Sequence, residues 1–369
     1  MLTRGDDYPV HQTSEPIAQV GTGDRNFYDR YFFNGYSRDG EIFFAIALGV
    51  YPNRGVMDAA VNVVHRGRQH VLRASRTAPV DRVETAVGPI TVRVLEPLRR
   101  LGVRVERNEH GIELDAEFLV RGPVIEEPRF QRRAGVRMVM DYTRLTQHGA
   151  WQGSVSVDGQ KVVLSPDRHW GSRDRSWGIR PLGEPEGGAP LDMAQFFWLW
   201  APLNFPDAVT HFDVNEVASG ARWHQMSLVA PAWNEDVSAL RHASAVDHRL
   251  ELRRGTRHAE RASLELRLGA GDARIRLTPL YQFYMSGLGY LHPQWGHGTF
   301  HGALEIAGES FALSDVDETS PMFLHVQAVC EAILETPGLA TQKGVGVLEQ
   351  LILGPHTPLG LTGLIGGAD

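Results

Sequence analysis

The stretch from Asp167 to Arg180, DRHWGSRDRSWGIR, holds two tryptophans, two glycines, a histidine, four arginines and two aspartates in fourteen residues. Read as an extended strand, it sends Ser172, Asp174 and Ser176 to one face and Arg173, Arg175 and Trp177 to the other. Two chemistries fit. In the first, Trp170 and Trp177 wall a site whose polar end is Asp174 and Arg173. In the second, the stretch clamps a domain junction, with both tryptophans buried, Asp174 ion-paired to an arginine, and Arg173 and Arg180 structural. The clamp is favoured, because neighbouring arginines lower an aspartate's pKa and make it a poor proton donor. Gly171 and Gly178 then let two sheets approach.

Two further clusters can carry chemistry. Residues 290–302, YLHPQWGHGTFHG, offer His292, His297 and His301 beside Tyr290 and Trp295. His297 and His301 would share a strand face, with Glu305 as the next carboxylate on it. A metal site is disfavoured against histidines hydrogen-bonded in an aromatic pocket. In residues 196–216, FFWLWAPLNFPDAVTHFDVNE, Trp198 and Trp200 precede His211, Asp213 and Asn215, which alternate onto one strand face. They form the polar lining of an apolar cavity or the solvent side of a strand. No arginine flanks Asp213 locally, so desolvation would raise its pKa, and it is the better candidate acid.

The elements that must position these groups read as strands. Segments such as VRVERNEHGIELDAEFLV, GSVSVDGQKVVLS and ASLELRLGAGDARIRL alternate apolar and polar residues, punctuated by turns at 108–111, 157–160, 269–272 and 307–310. Residues 57–75 fit either a helix or a hairpin turning at HRGRQ; 323–335 share the ambiguity, with VQAV leaning to strand. All eight tryptophans lie between Trp151 and Trp295, and the Pro/Gly-rich 180–190 breaks regular structure. Two all-β domains follow, at 1–185 and 186–369.

Composition narrows the function. Net charge of -7 gives no bulk attraction to nucleic acid, and the longest apolar runs are far short of a membrane span. No apolar leader opens the chain, so a cytoplasmic location is expected. Cys330, the single cysteine, excludes an internal disulfide and a thiolate zinc cluster. Only Lys161 and Lys343 could form a Schiff base, and neither sits in an obvious dry pocket. Nucleotide-binding glycine loops, a GxSxG elbow and HExxH are absent from the sequence. No cofactor is expected, and a homodimer is left open.

GSRDRSWGIR (171–180), GYLHPQWGHGTFHG (289–302) and GVGVLEQLILGPHTPLGL (344–361) resemble hallmarks of the AttH-like superfamily, which includes carotenoid 1,2-hydratase (hydroxyneurosporene synthase). Fungal Diels–Alderases and tocopherol cyclases are more distant kin. The resemblance covers the second half; the first 165 residues match only in β character. It implies two lipocalin-like antiparallel barrels with a ligand cavity at or between them, and bulky apolar substrates handled without metal or organic cofactor. The expectation is a hydratase or lyase acting on an unsaturated, terpenoid-like molecule. A hydrophobic-ligand carrier and a shape-imposing isomerase or cyclase are the alternatives. In that chemistry Asp213 or Asp174 supplies a proton and His297 activates water. Trp170, Trp177, Trp198, Trp200, Tyr290, His292, Trp295 and His301 line the substrate.

Overall fold

The computed structural model of the chain describes residues 1–183, 189, 195–269 and 271–368, so the middle of the expected linker lies outside the described residues. Alternation of apolar and polar residues produces two large antiparallel sheets. The first follows the order Leu304–Ala312, Arg68–Thr77, Val56–His65, Ile42–Tyr51, Phe27–Ser37, His169–Ile179, Arg137–Val157, Ile112–Val120, Arg100–Val105, Ile90–Glu96 and Ala86–Val87. It curls until Ile306 on one edge packs against Gly88 at the other, and is nearly closed. The second runs Arg241–His242, Arg222–Pro231, Ala208–Glu216, Phe196–Trp200, Gln342–Leu353, Val326–Glu335, Asp272–Tyr284, Ala259–Arg267 and Ala245–Leu252. No helix among the described residues is long and apolar enough to cross a membrane.

Each sheet encloses its own apolar cluster, one around Phe33, Phe44, Phe118 and Trp151, the other around Phe197, Phe212, Leu264 and Ile275. A third cluster, with Phe32, Tyr36, Phe43, Trp170, Trp200, Phe283 and Val347, joins the two sheets face to face. The sheets are also tied across the seam by an exchanged strand. Leu304–Ala312 belongs to the second half of the sequence but pairs with Arg68–Thr77 of the first sheet.

Several local expectations resolve. Residues 57–75 are a hairpin, with Arg66 and Gly67 both at positive φ, as a two-residue turn matched to strand twist demands. Residues 326–335 are strand throughout. The turn expected at 307–310 does not form, because those residues continue their ladder against Arg68–Thr77 without a break. Residues 290–302 are irregular rather than a strand, so His297 and His301 do not share a strand face.

Candidate active site between the two sheets

Three neighbouring strands of the first sheet set the floor. Phe27–Ser37, His169–Ile179 and Arg137–Val157 pair so that Phe32, Asp174 and Thr146 lie side by side, as do Arg30, Ser176 and Arg144. By period two, Tyr28, Arg30, Phe32, Asp174, Tyr142, Arg144 and Thr146 all project toward the second sheet. The opposite face carries Arg173, Arg175 and Trp177. The division between Ser172, Asp174, Ser176 and the arginine side follows the alternation read from the sequence.

Facing them are residues of the second sheet, and the two sets meet in an ion-pair network. Arg144 donates from Nε to Glu127 Oε2 at 2.6 Å and from Nη2 to Asp213 Oδ2 at 2.8 Å. Thr146 Oγ1 donates to Glu127 Oε1 at 2.6 Å, and Trp198 Nε1 donates to Asp213 Oδ1 at 2.9 Å. His224 Nε2 stands 3.1 Å from Asp213 Oδ2. Burial opposes ionisation of Glu127, yet Arg144 and His211 outweigh it and hold the carboxyl well below its usual range. Ligand atoms of Glu127, His211 and Asp213 lie within 4.8 Å of one another, a geometry a metal ion could use. The Arg144 guanidinium already binds both carboxylates, however, so a divalent ion there would meet a fixed positive charge.

Asp174 differs from this network. It is half-buried, and no hydrogen bond or ion pair reaches its carboxyl among the described residues. Burial pushes its pKa up to about 6; Arg144 and Arg30 pull against that, and Glu127 and Glu349 add to it. A circuit of rings and guanidiniums spans the two sheets around this part of the interior. Tyr28 meets Tyr142 at 6.1 Å, Tyr142 stacks on Phe130 at 4.6 Å, and the Arg144 guanidinium sits 4.8 Å from Phe130 and 5.2 Å from Trp198. Trp198 meets His325 at 5.8 Å, and His325 meets Tyr290 at 4.5 Å. Arg180 closes the circuit, 5.8 Å from Tyr290 and 4.4 Å from Tyr28. Tyr142, Trp198, Tyr290, Arg180 and Asp174 are each half-buried at this seam.

A second group adjoins it. Arg30 Nη1 donates to Tyr290 Oη at 2.8 Å, and Tyr290 packs edge-on to buried His297 at 4.3 Å. Tyr51 Oη lies 3.4 Å from His297 Nδ1 and donates to Asp58 Oδ1 at 3.1 Å, while Gly298 N donates to Asp58 Oδ2 at 2.7 Å. Burial, with Arg30 and Arg180 nearby, holds the His297 pKa well below normal, so the imidazole is neutral near pH 7. Burial likewise raises the Asp58 carboxyl, against the pull of Arg30.

The expected environments of the two aspartates are exchanged. Asp213 is ion-paired, because Arg144 reaches it from the other sheet, a partner no local reading could supply. Asp174 is unpaired among the described residues and its pKa is raised, because the arginines beside it in sequence point through the opposite face of the strand. Trp170 is buried as expected, held between Arg38 and Arg121, but Trp177 is exposed on the far face and cannot flank Asp174. Arg173 is buried on that face and bonds Gln147. Trp200 lies beneath the enclosure, its Nε1 3.4 Å from Glu127 Oε1. His292 accepts from the backbone N–H groups of Gln294 and Trp295, and Trp295 stacks on His301 at 4.0 Å, so these three shape the 290–302 loop. Sequence reading passed over Tyr28, Arg30, Glu127, Phe130, Tyr142, Arg144, His325 and Glu349. Alternation in FYDRYFFN and DYTRLTQH carried the signal for four of them: tyrosine and arginine share a parity that a core strand would fill with apolar residues.

Solved structures of low sequence identity share this architecture. An AttH protein from Nitrosomonas europaea is 13% identical, covering 93% of this chain and 98% of its own, with a TM-score of 0.52. Kievitone hydratase from Nectria haematococca is 10% identical with a TM-score of 0.53, covering 88% of each chain. CghA is 12% identical with a TM-score of 0.53, covering 89% of each. The AttH-like fold read from the three motifs is therefore the fold of this chain. No curated protein sequence matches it. Residues 2–362 match one family across almost their whole length, and the chain belongs to that family, a family of unknown function designated DUF8625.

Proposed function

We propose that the protein is a hydratase or lyase acting on an unsaturated hydrophobic small molecule, with Asp174 as the acid. The observation that carries this reading is the Asp174 carboxyl, unpartnered among the described residues and raised to about 6 on the floor of an aromatic enclosure. A general acid needs a pKa near the working pH and a proton not already committed to a neighbour. Kievitone hydratase, which shares the fold, is by its name a hydratase, and this supports the same reaction class.

In the forward direction, the Asp174 O–H bond breaks as its proton forms a C–H bond with one alkene carbon, using the π electron pair. Positive charge develops on the other carbon, where the faces of Tyr142, Trp198 and Tyr290 stabilise it. Water adds through an oxygen lone pair. The resulting oxonium is strongly acidic, so a weak neutral base suffices to take its proton, and His297, whose Nε2 has no hydrogen-bond partner among the described residues, is that base. Solvent then carries the proton back to the Asp174 carboxylate. Arg144, held by Glu127 and Asp213, fixes the wall behind the acid and keeps its proton exchangeable near neutrality.

The test is incubation with a panel of unsaturated isoprenoids in isotopically labelled water, read by mass spectrometry. Hydration adds one labelled oxygen. The acid form is the active form, so kcat/KM should fall as pH rises through about 6. Asp174→Asn should bind the same molecules and convert none; turnover surviving in that variant sinks the assignment.

A further inference from the structure

Arg180 is the cation the acid chemistry leaves unused. It follows the His169–Ile179 strand on the face that carries Asp174, and its guanidinium lies over Tyr28 at 4.4 Å. Its Nε and Nη2 are enclosed without a hydrogen-bond acceptor, and no carboxylate lies within ion-pair distance among the described residues. Tyr28 Oη, beneath it, is also buried, with the Ser176 hydroxyl as its polar neighbour. Arg30, nearby on the same face, is spent on Tyr290 Oη and the Leu288 carbonyl, with its own Nε unpartnered. Arginine stays charged at any working pH. Elsewhere in this interior, Arg144 is ion-paired to two carboxylates, whereas neither guanidinium at this end of the enclosure has a carboxylate within ion-pair distance among the described residues, and Asp58 acts on both only at longer range. An enclosed cation without a counter-ion is costly unless something compensates it.

We propose that Arg180, with Tyr28 and Arg30 behind it, binds an anionic oxygen group, a carboxylate or enolate, at one end of the otherwise apolar substrate. A guanidinium stacked on rings presents a flat fork that matches such a planar oxyanion. The substrate class is then an amphipathic acid, whose head is held at Arg180 and whose unsaturated body passes the aromatic enclosure to Asp174. The inference rests on the enclosure being a ligand site, and is independent of whether Asp174 is an acid catalyst.

The probe pair is 2-naphthoate and its neutral isostere 2-naphthamide, titrated into the full chain by calorimetry. Wild-type protein should bind the acid about tenfold more tightly than the amide, as a charge-assisted pair would give. Arg180→Gln should bind both equally with the amide affinity unchanged, and Arg180→Lys should keep part of the preference. Arg180→Gln should melt no lower than wild type, since losing the ring contacts to Tyr28 and Tyr290 is offset by removing an enclosed cation with no ion-paired carboxylate among the described residues; a clamp would instead lower melting and leave selectivity alone. Equal wild-type affinities, failure of naphthoate to bind, or a preference surviving in Arg180→Gln overturns the assignment. The wild-type comparison decides even if the Gln variant is unfolded. A lost preference for the acid with turnover still dependent on Asp174 removes only the head-group site, and the reverse result removes only the acid.

Discussion

Ionising Asp174 costs more in the folded chain than in the unfolded one, since burial raises its pKa from 3.8 to about 6 with no hydrogen bond to offset it. The folded state therefore binds the proton more tightly. Its contribution to stability is complete at low pH and is lost as pH rises through about 6. Asp174→Asn should consequently be more stable than wild type by about 1–3 kcal/mol near pH 7, with no difference below about pH 4. Paired denaturant titrations at the two pH values measure this. A destabilised Asn variant at pH 7 would mean that the carboxylate has an ion partner after all, as the clamp reading of the sequence held. What could be read from DRHWGSRDRSWGIR was the face on which each side chain lies, because strand parity is local. What could not be read was which charges cross from the other sheet, and those decide the pKa of Asp174 and the pairing of Asp213.

The strands that hold the acid are fixed by a row of glycines. Gly35, Gly171 and Gly149 lie in register across three neighbouring strands, on the face turned away from the site. The rings of Phe44 and Phe118 fill the groove they leave, and both pack edge-on to Trp151 at 5.1 and 5.3 Å. A Cβ at Gly171 would stand 2.1 Å from the Asn34 carbonyl oxygen, which belongs to the ladder itself. Gly171→Ala should thus cost about 1–3 kcal/mol by forcing the strands apart, and should lower turnover by displacing Asp174 three positions along. Thermal melting beside activity checks it; unchanged values in both would mean that the ladder absorbs the methyl group. The sequence marked Gly171 as a place of close approach, and that is what it is. The approaching groups are the Asn34 carbonyl of the neighbouring strand and the Trp151 ring of its own barrel, whereas the second sheet was expected. Strand periodicity could not distinguish them, because both faces of this strand are covered.

At the scale of the molecule, the two-sheet, all-β architecture was legible from alternation and turn residues alone. The exchange of Leu304–Ala312 into the first sheet was not, since GALEIAGESFALS alternates like any strand and nothing in it names its partner. Pairing across 228 or more positions is a tertiary choice, set by the open edge that Arg68–Thr77 offers. The site was partly legible for the same reason. Trp198, Tyr290, His297, Asp174 and Asp213 carry unusual side chains in unusual company, whereas Tyr28, Arg144 and His325 become conspicuous only once the sheets face each other.

That the enclosure is assembled from both sheets bears on how its preferences can change over generations. Tyr28, Phe130, Tyr142, Arg144 and Arg180 come from one side of the seam, and Trp198, Tyr290 and His325 from the other. Neither half inherits a binding specificity of its own. A substitution that suits a new ligand on one side alters the value of residues on the other, so adaptation must proceed by matched pairs. A double-mutant cycle on Tyr142→Phe and Tyr290→Phe, read in ligand affinity, should show coupling of at least about 0.5 kcal/mol, although Tyr142 lies on a strand of the first sheet and Tyr290 in the loop that follows the Asp272–Tyr284 strand.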